Sequence, residues 1–207
     1  MDKQHRLPLV FLVIELIILI VSCAVTRDRP TWVLEVFPVL IGLVLLVATY
    51  RRFQFTNMLY CMLVIHSLIM AVGGIYTYAK VPLGFWMQDW FGFARNHYDR
   101  IGHFAQGFIP AMLVREILIR TSPLRRGKWL IFIVISICLA VSAFYELIEF
   151  AYATAAGESA DSFLGSQGDI WDAQWDMTFA LIGSICSLLF LSKLHNRFLS
   201  HRGVELD

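Results

Sequence analysis

The chain has 207 residues, of which 58% are hydrophobic and only 16% are Asp, Glu, Lys or Arg, against about 25% charged in an ordinary soluble domain. That much apolar surface cannot be covered in water, so the bilayer is the expected solvent. The net charge of +1 provides no basic face, which excludes nucleic acid and leaves membrane lipids as the expected partner.

Lys3 and Arg6 precede the first apolar run, as in a signal peptide. Ile20-Val21-Ser22-Cys23 even resembles a lipoprotein cleavage box. The run continues to Val25 and a second span follows at once, so an uncleaved first helix is expected, with processing at Cys23 as the alternative. A span needs about 20 apolar residues, and six stretches qualify, at 7–25, 31–50, 55–78, 97–119, 129–152 and 170–194. The expected fold is all-α: a polytopic membrane protein of six transmembrane helices in one domain over residues 1–207. The short Thr26-Arg27-Asp28-Arg29-Pro30 connection predicts a tight hairpin of the first two spans.

Lys and Arg set the orientation, because they accumulate on the cytoplasmic side. With a cytoplasmic N-terminus, eleven of the 17 lie inside and five outside, with Arg115 within the fourth span. Both termini are therefore expected in the cytoplasm. Five of the six tryptophans (Trp32, Trp86, Trp90, Trp171 and Trp175) then fall near the outer interface, where such rings prefer to sit.

Two outer loops stand out. Residues 80–96 carry Phe85, Trp86, Met87, Trp90, Phe91 and Phe93 with few charges, which predicts a segment lying in the interface. It would anchor there, cover the acidic zone that follows, or guide a lipid into it. Gly157 to Gly168 is polar and rich in Gly and Ser, a candidate lid. The four cysteines (Cys23, Cys61, Cys138 and Cys186) fall in different spans without metal-site spacing and are expected to be reduced, buried and inert.

Charge inside a bilayer is costly and usually marks function. Asp99 and His103 are four apart, Glu146 and Glu149 three apart, and Asp169, Asp172 and Asp176 follow i, i+3, i+7, so each set shares one helix face. His103 lies about 9 Å along its helix from the outer end, and the other sets lie at similar depth. The topology thus brings one imidazole and several carboxylates to a single shallow zone. Those carboxylates cannot all remain ionised together without a cation or protons. Asp99 and Asp169 also fit as helix caps or interfacial residues.

Arg95, Arg100, His97, a metal or a cationic substrate would neutralise the zone. Imidazole with carboxylates suits a divalent ion such as Zn²⁺, Mn²⁺ or Fe²⁺. The expected metal ligands are His103, Glu146, Glu149, Asp172 and Asp176. The expected catalytic set is Asp99, His103, Glu146, Asp172 and Asp176, with Asp99 orienting His103. Neither HExxH nor a di-iron ExxH pair is present. Deeper in the membrane, Glu15 and His66 would form a buried pair or a proton path. Glu35 would join the cluster, and Glu116 with Arg120 reads as a surface i, i+4 pair.

The whole chain resembles the YjdF family of bacterial inner-membrane proteins, the Escherichia coli member included. The resemblance implies an inner-membrane location and a multi-pass topology, and no chemistry. A narrower likeness is to the VanZ-like group. Asp99-Arg100-Ile101-Gly102-His103-Phe104 is similar to its acidic, basic, His-Phe pattern. Glu146 to Glu149 stands where that group has Glu to Gln, and Asp172 to Asp176 before Gly183 where it has Asp to Asn. Both departures add negative charge. The group's association with glycopeptide resistance implies an envelope role by analogy.

Three classes follow. The first is a metal-assisted enzyme acting on a lipid or cell-envelope head group. The second is a non-enzymatic accessory protein of the envelope. The third is a proton- or cation-coupled transporter, in which a homodimer would supply the inverted repeat that the chain lacks.

Overall fold

The structure is a computed structural model that describes residues 3–156 and 166–206. It is all-helical, with no strand among the described residues. Seven α-helices are described, α1 (Lys3–Val25), α2 (Arg29–Thr49), α3 (Asn57–Tyr76), α4 (Pro82–Phe91), α5 (Tyr98–Thr121), α6 (Lys128–Ala156) and α7 (Asp172–His201), with a 3₁₀ turn at Tyr78–Lys80. The candidate lid falls largely on residues 157–165, outside the described residues.

Five helices are long and apolar enough to cross a membrane: α1, α2, α3, α6 and α7. The chain is therefore a multi-pass membrane protein. The remaining long helix, α5, reaches about 36 Å at 1.5 Å per residue. It carries Asp99, Arg100, His103, Arg115, Glu116 and Arg120, too many charges to face lipid. The fold resolves this by placing α5 at the centre, packed against α3, α6 and α7. Arg100, His103, Arg115 and Glu116 are all buried there. The outer helices instead turn Val10, Ile17, Val44, Phe132 and Phe190 outward.

The most extensive packing joins α5 to α7, and its cause lies in small residues. A Cβ on Gly107 would lie 1.8 Å from the Ala180 carbonyl oxygen, and one on Gly183 would lie 2.2 Å from that of Phe104. Small residues let membrane helices approach this closely without a hydrophobic driving force. The close crossing fixes the two helices in register, so that their acidic first turns meet.

The first two helices depart from a tight hairpin. Asp28 caps α2, accepting from the Thr31 backbone N–H at 3.1 Å, with Pro30 at the helix start. Near this turn the Trp32 indole donates to Ser22 Oγ at 3.1 Å, and Leu19 packs on Trp32 and Val36. Further from the turn, both helices pack chiefly on α3, and an apolar cleft of about 470 Å³ separates them. Pro38 contributes inside α2: its ring cannot donate to the Leu34 carbonyl, and the Tyr145 hydroxyl donates there instead at 3.2 Å.

Within residues 80–96 lies the short helix α4, which leaves Phe85, Trp86, Trp90 and Phe91 exposed. Gly92, at φ 67°, ends it in the left-handed conformation. Among the cysteines only Cys138 is buried. Cys61 is exposed, so the expectation of four buried thiols holds for one, and all four are free.

Candidate functional site

Two loops set the stage. The Asn96 backbone N–H donates to Gln167 Oε1 at 3.1 Å, and Gln167 Nε2 donates back to the Asn96 carbonyl at 2.8 Å. The Asn96 side chain, buried, donates to the Val81 carbonyl at 2.9 Å and accepts from the Tyr98 N–H at 3.0 Å. The starts of α5 and α7 are thereby tied to each other. Neither Asn96 nor Gln167 carries a charge or belongs to a motif, so nothing in the local sequence marks them.

Two arginines then take up most of the acid. Arg100 Nη2 donates to Asp172 Oδ1 at 2.7 Å and lies 3.4 Å from Asp169 Oδ2. Its Nη1 donates to Asp176 Oδ1 and lies 3.5 Å from Asp99 Oδ2. Arg95 Nη2 reaches the same Asp172 Oδ1 at 2.7 Å, and its Nη1 donates to the Ser166 carbonyl. A planar guanidinium offers five donors, so one arginine can hold several carboxylates. Asp169 also accepts from the Trp171 N–H at 2.9 Å, the local turn role its position allowed. His97, outside the membrane helices, is held below the usual imidazole range by burial and by Arg95 and Arg100.

His103 stands at the centre, one turn deeper. Its Nε2 lies 3.4 Å from Asp99 Oδ1 and 3.6 Å from Asp176 Oδ1. Its Nδ1 faces Glu146 Oε1 at 4.0 Å, and both of those atoms lack a hydrogen-bond partner among the described residues. The ligand atoms of Asp99, His103 and Asp176 all lie within 4.8 Å of one another. The expected cluster therefore divides in three. Asp99, His103 and Asp176 converge, with Glu146 behind the imidazole. Asp172 is taken up by the arginines. Glu149 lies to one side.

That side is a polar cavity of about 120 Å³, whose wall includes Glu35, Tyr78, Asp99, His103, Tyr145 and Glu149. A volume of this size holds several waters or a small head group. Glu35, buried in the second turn of α2, thus joins the site as its position predicted.

The other intramembrane charges settle differently. Glu15 and His66 make no ion pair with each other among the described residues, and both line the apolar cleft. Glu116 and Arg120 are no surface pair: Glu116 is completely buried. Its carboxylate accepts from the Thr56 N–H at 3.0 Å, the Thr56 hydroxyl at 2.8 Å and Arg120 at 2.7 Å. It also meets His195 Nε2 at 3.0 Å. On the other edge of that ring, Arg115 donates to Nδ1 at 2.9 Å, so Nε2 carries the proton toward Glu116. Every strong donor and acceptor here is matched, as a buried ionic group requires. The network belongs to the framework, and a lone His195 near a helix end gave no warning of it.

Comparison with known proteins fits this architecture. The family described as "Predicted membrane protein (DUF2238)" matches residues 7–197. The chain belongs to this family. It is 48% identical over 188 residues to the inner membrane protein YjdF of Escherichia coli strain K12, covering 91% of this chain and 90% of that one. At that identity the chain is a relative of the Escherichia coli protein and distinct from it. No solved structure matches. Family membership and the apolar helices together make this DUF2238 protein a multi-pass protein of the bacterial inner membrane.

Proposed function

We propose that the chain is a six-span enzyme with both termini cytoplasmic, acting on a lipid or cell-envelope head group at a divalent metal held by Asp99, His103 and Asp176. The observation that carries this reading is the convergence of those three ligand atoms within 4.8 Å, beside a polar cavity inside an apolar bundle. One imidazole and two carboxylates suit Zn²⁺, Mn²⁺ or Fe²⁺. Such an ion activates water or polarises a phosphoryl or carbonyl oxygen.

The chain's own residues supply the rest. Glu146 faces the far nitrogen of His103, the place from which a carboxylate orients a metal-bound imidazole. Arg100 steadies the Asp176 carboxylate. Asp172, expected as a ligand, serves to position the two arginines, and Glu149 meets the head group from the cavity wall. The aromatic face of α4 anchors this end of the bundle at the interface. The VanZ-like pattern around Asp99 and His103 adds an envelope role by analogy alone.

The test uses the purified protein in proteoliposomes of total envelope lipid, with Zn²⁺, Mn²⁺ or Fe²⁺ supplied. Mass spectrometry should find a lipid with an altered head group, absent with His103→Ala. No altered lipid with any of the three metals sinks the enzymatic reading. For topology, a cytoplasm-active reporter fused to the C-terminus should be active, and a periplasm-active one silent.

A second reading, proton- or cation-coupled transport, draws on one feature: His66 lines both the polar cavity and the cleft that holds Glu15. Proton flux into proteoliposomes, abolished by His66→Ala, would favour it, with a homodimer as the working unit.

A further inference from the structure

The apolar cleft and the polar cavity lie side by side. Pro38, His66 and Pro110 line both. The cleft measures about 470 Å³, within the usual range of ligand pockets. Its wall is formed by Phe11, Leu12, Val39, Leu43, Leu46 and Leu63, with Glu15 and His66 as the ionisable points. Among the described residues no lysine or arginine lines either space. The cavity end instead presents Glu35, Asp99 and Glu149, with His103 beside them. His103 is only 6% exposed and lines this cavity. Asp99 already has Arg100 as its counter-ion, whereas Glu35 and Glu149 make no ion pair among the described residues. Apolar length at one end and these two glutamates at the other specify the occupant by chemistry.

We propose that the cleft and the cavity open into each other and bind one amphiphile, its alkyl chain in the cleft and a protonated amine head between Glu35 and Glu149. Charge complementarity selects the head. A phosphate or carboxylate would meet Glu35 and Glu149 with no lysine or arginine among the described lining residues. An amine supplies three donors to groups that otherwise crowd like charges together. The chain end is selected by shape, because a slot between α1, α2 and α3 accepts one extended chain. The proposal deepens the head-group reading of the cavity, yet requires only binding and no turnover.

Gly42 offers a clean test. It lines the cleft, and a Cβ there would meet nothing within 4 Å. Gly42→Trp therefore starts its side chain in open space and extends the indole into the cleft. Glycine inside a helix is also destabilising, so the variant should melt no lower than wild type. Binding of hexadecylamine, hexadecanol and palmitate to the full chain is measured by titration calorimetry in neutral detergent.

Hexadecylamine should bind, with the alcohol and the acid weaker by about ten-fold or more, the scale of one desolvated charge interaction. Gly42→Trp should weaken the amine by at least about ten-fold, as expected when a few methylenes lose their burial. The paired change Glu35→Gln with Glu149→Gln should erase the preference for the amine while leaving the alcohol unchanged. Palmitate binding as tightly as the amine would overturn the proposed head specificity. Unchanged amine binding in Gly42→Trp would overturn the cleft. Amine binding with both variant effects, but no altered lipid in the proteoliposome assay, would uphold this site and defeat the catalytic reading alone.

Discussion

His103 Nδ1 and Glu146 Oε1 face each other across 4.0 Å on neighbouring helices, and neither atom has a hydrogen-bond partner among the described residues. Buried polar atoms are almost always satisfied, so an unpaired couple at the centre of a site marks unfinished chemistry. Loading of the opposite nitrogen is the event that would draw them together. Glu146→Ala should therefore lower metal affinity by about 10- to 100-fold, the usual cost of losing such a supporting group. Competition titration against a metal indicator measures it. Unchanged affinity would remove Glu146 from the account.

Arg100 makes a different kind of prediction. It is the shared counter-ion of Asp99, Asp169, Asp172 and Asp176. Arg100→Met leaves buried carboxylates uncompensated and should cost about 3–5 kcal/mol, read from unfolding in mixed micelles. Arg100→Lys should recover only part, because an ammonium cannot fork across several acids. Adding Asp172→Asn to Arg100→Met should restore some stability.

At the far end of α5, the Glu116–His195 pair is completely buried. Glu116→Ala strands His195, Arg120 and the Thr56 hydroxyl, and should also cost about 3–5 kcal/mol. Arg120→Ala should cost less. Its side chain is 19% exposed, and its stacking over Phe53 at 3.7 Å is a modest term. The same unfolding assay ranks the two, and an inverted order would contradict the framework role given to Glu116.

The α5–α7 contact is the least forgiving of all. Gly107→Ala would drive a methyl into the Ala180 carbonyl. Because that neighbour is backbone, the helices must separate, at a cost of about 3 kcal/mol or more. The expected outcome is loss of monodisperse protein on size exclusion. Normal yield and elution would show the crossing to be wider than described.

The membrane character was legible because apolar runs of span length need no partner to be recognised. The acidic faces were legible too, since i, i+3 and i+4 spacing places Asp99 with His103 and Asp172 with Asp176. Pairing across helices was not. That Arg95 and Arg100 would claim Asp172 depends on the Gly107–Gly183 crossing, and nothing in either local stretch encodes its depth. His195 and Asn96 were missed for the same reason, as their partners lie 79 and 15 residues away. The cleft was hidden because the short turn after α1 says that two helices meet, and leaves open how far they splay.

The central claim is that Asp99, His103 and Asp176 hold a metal. The most direct measurement is metal content by inductively coupled plasma mass spectrometry, on protein purified in neutral detergent without chelator. Wild type should carry stoichiometric divalent metal, and His103→Ala, Asp99→Ala and Asp176→Asn should each lose it while eluting as folded protein. Wild type free of metal, or His103→Ala retaining it, would contradict the claim.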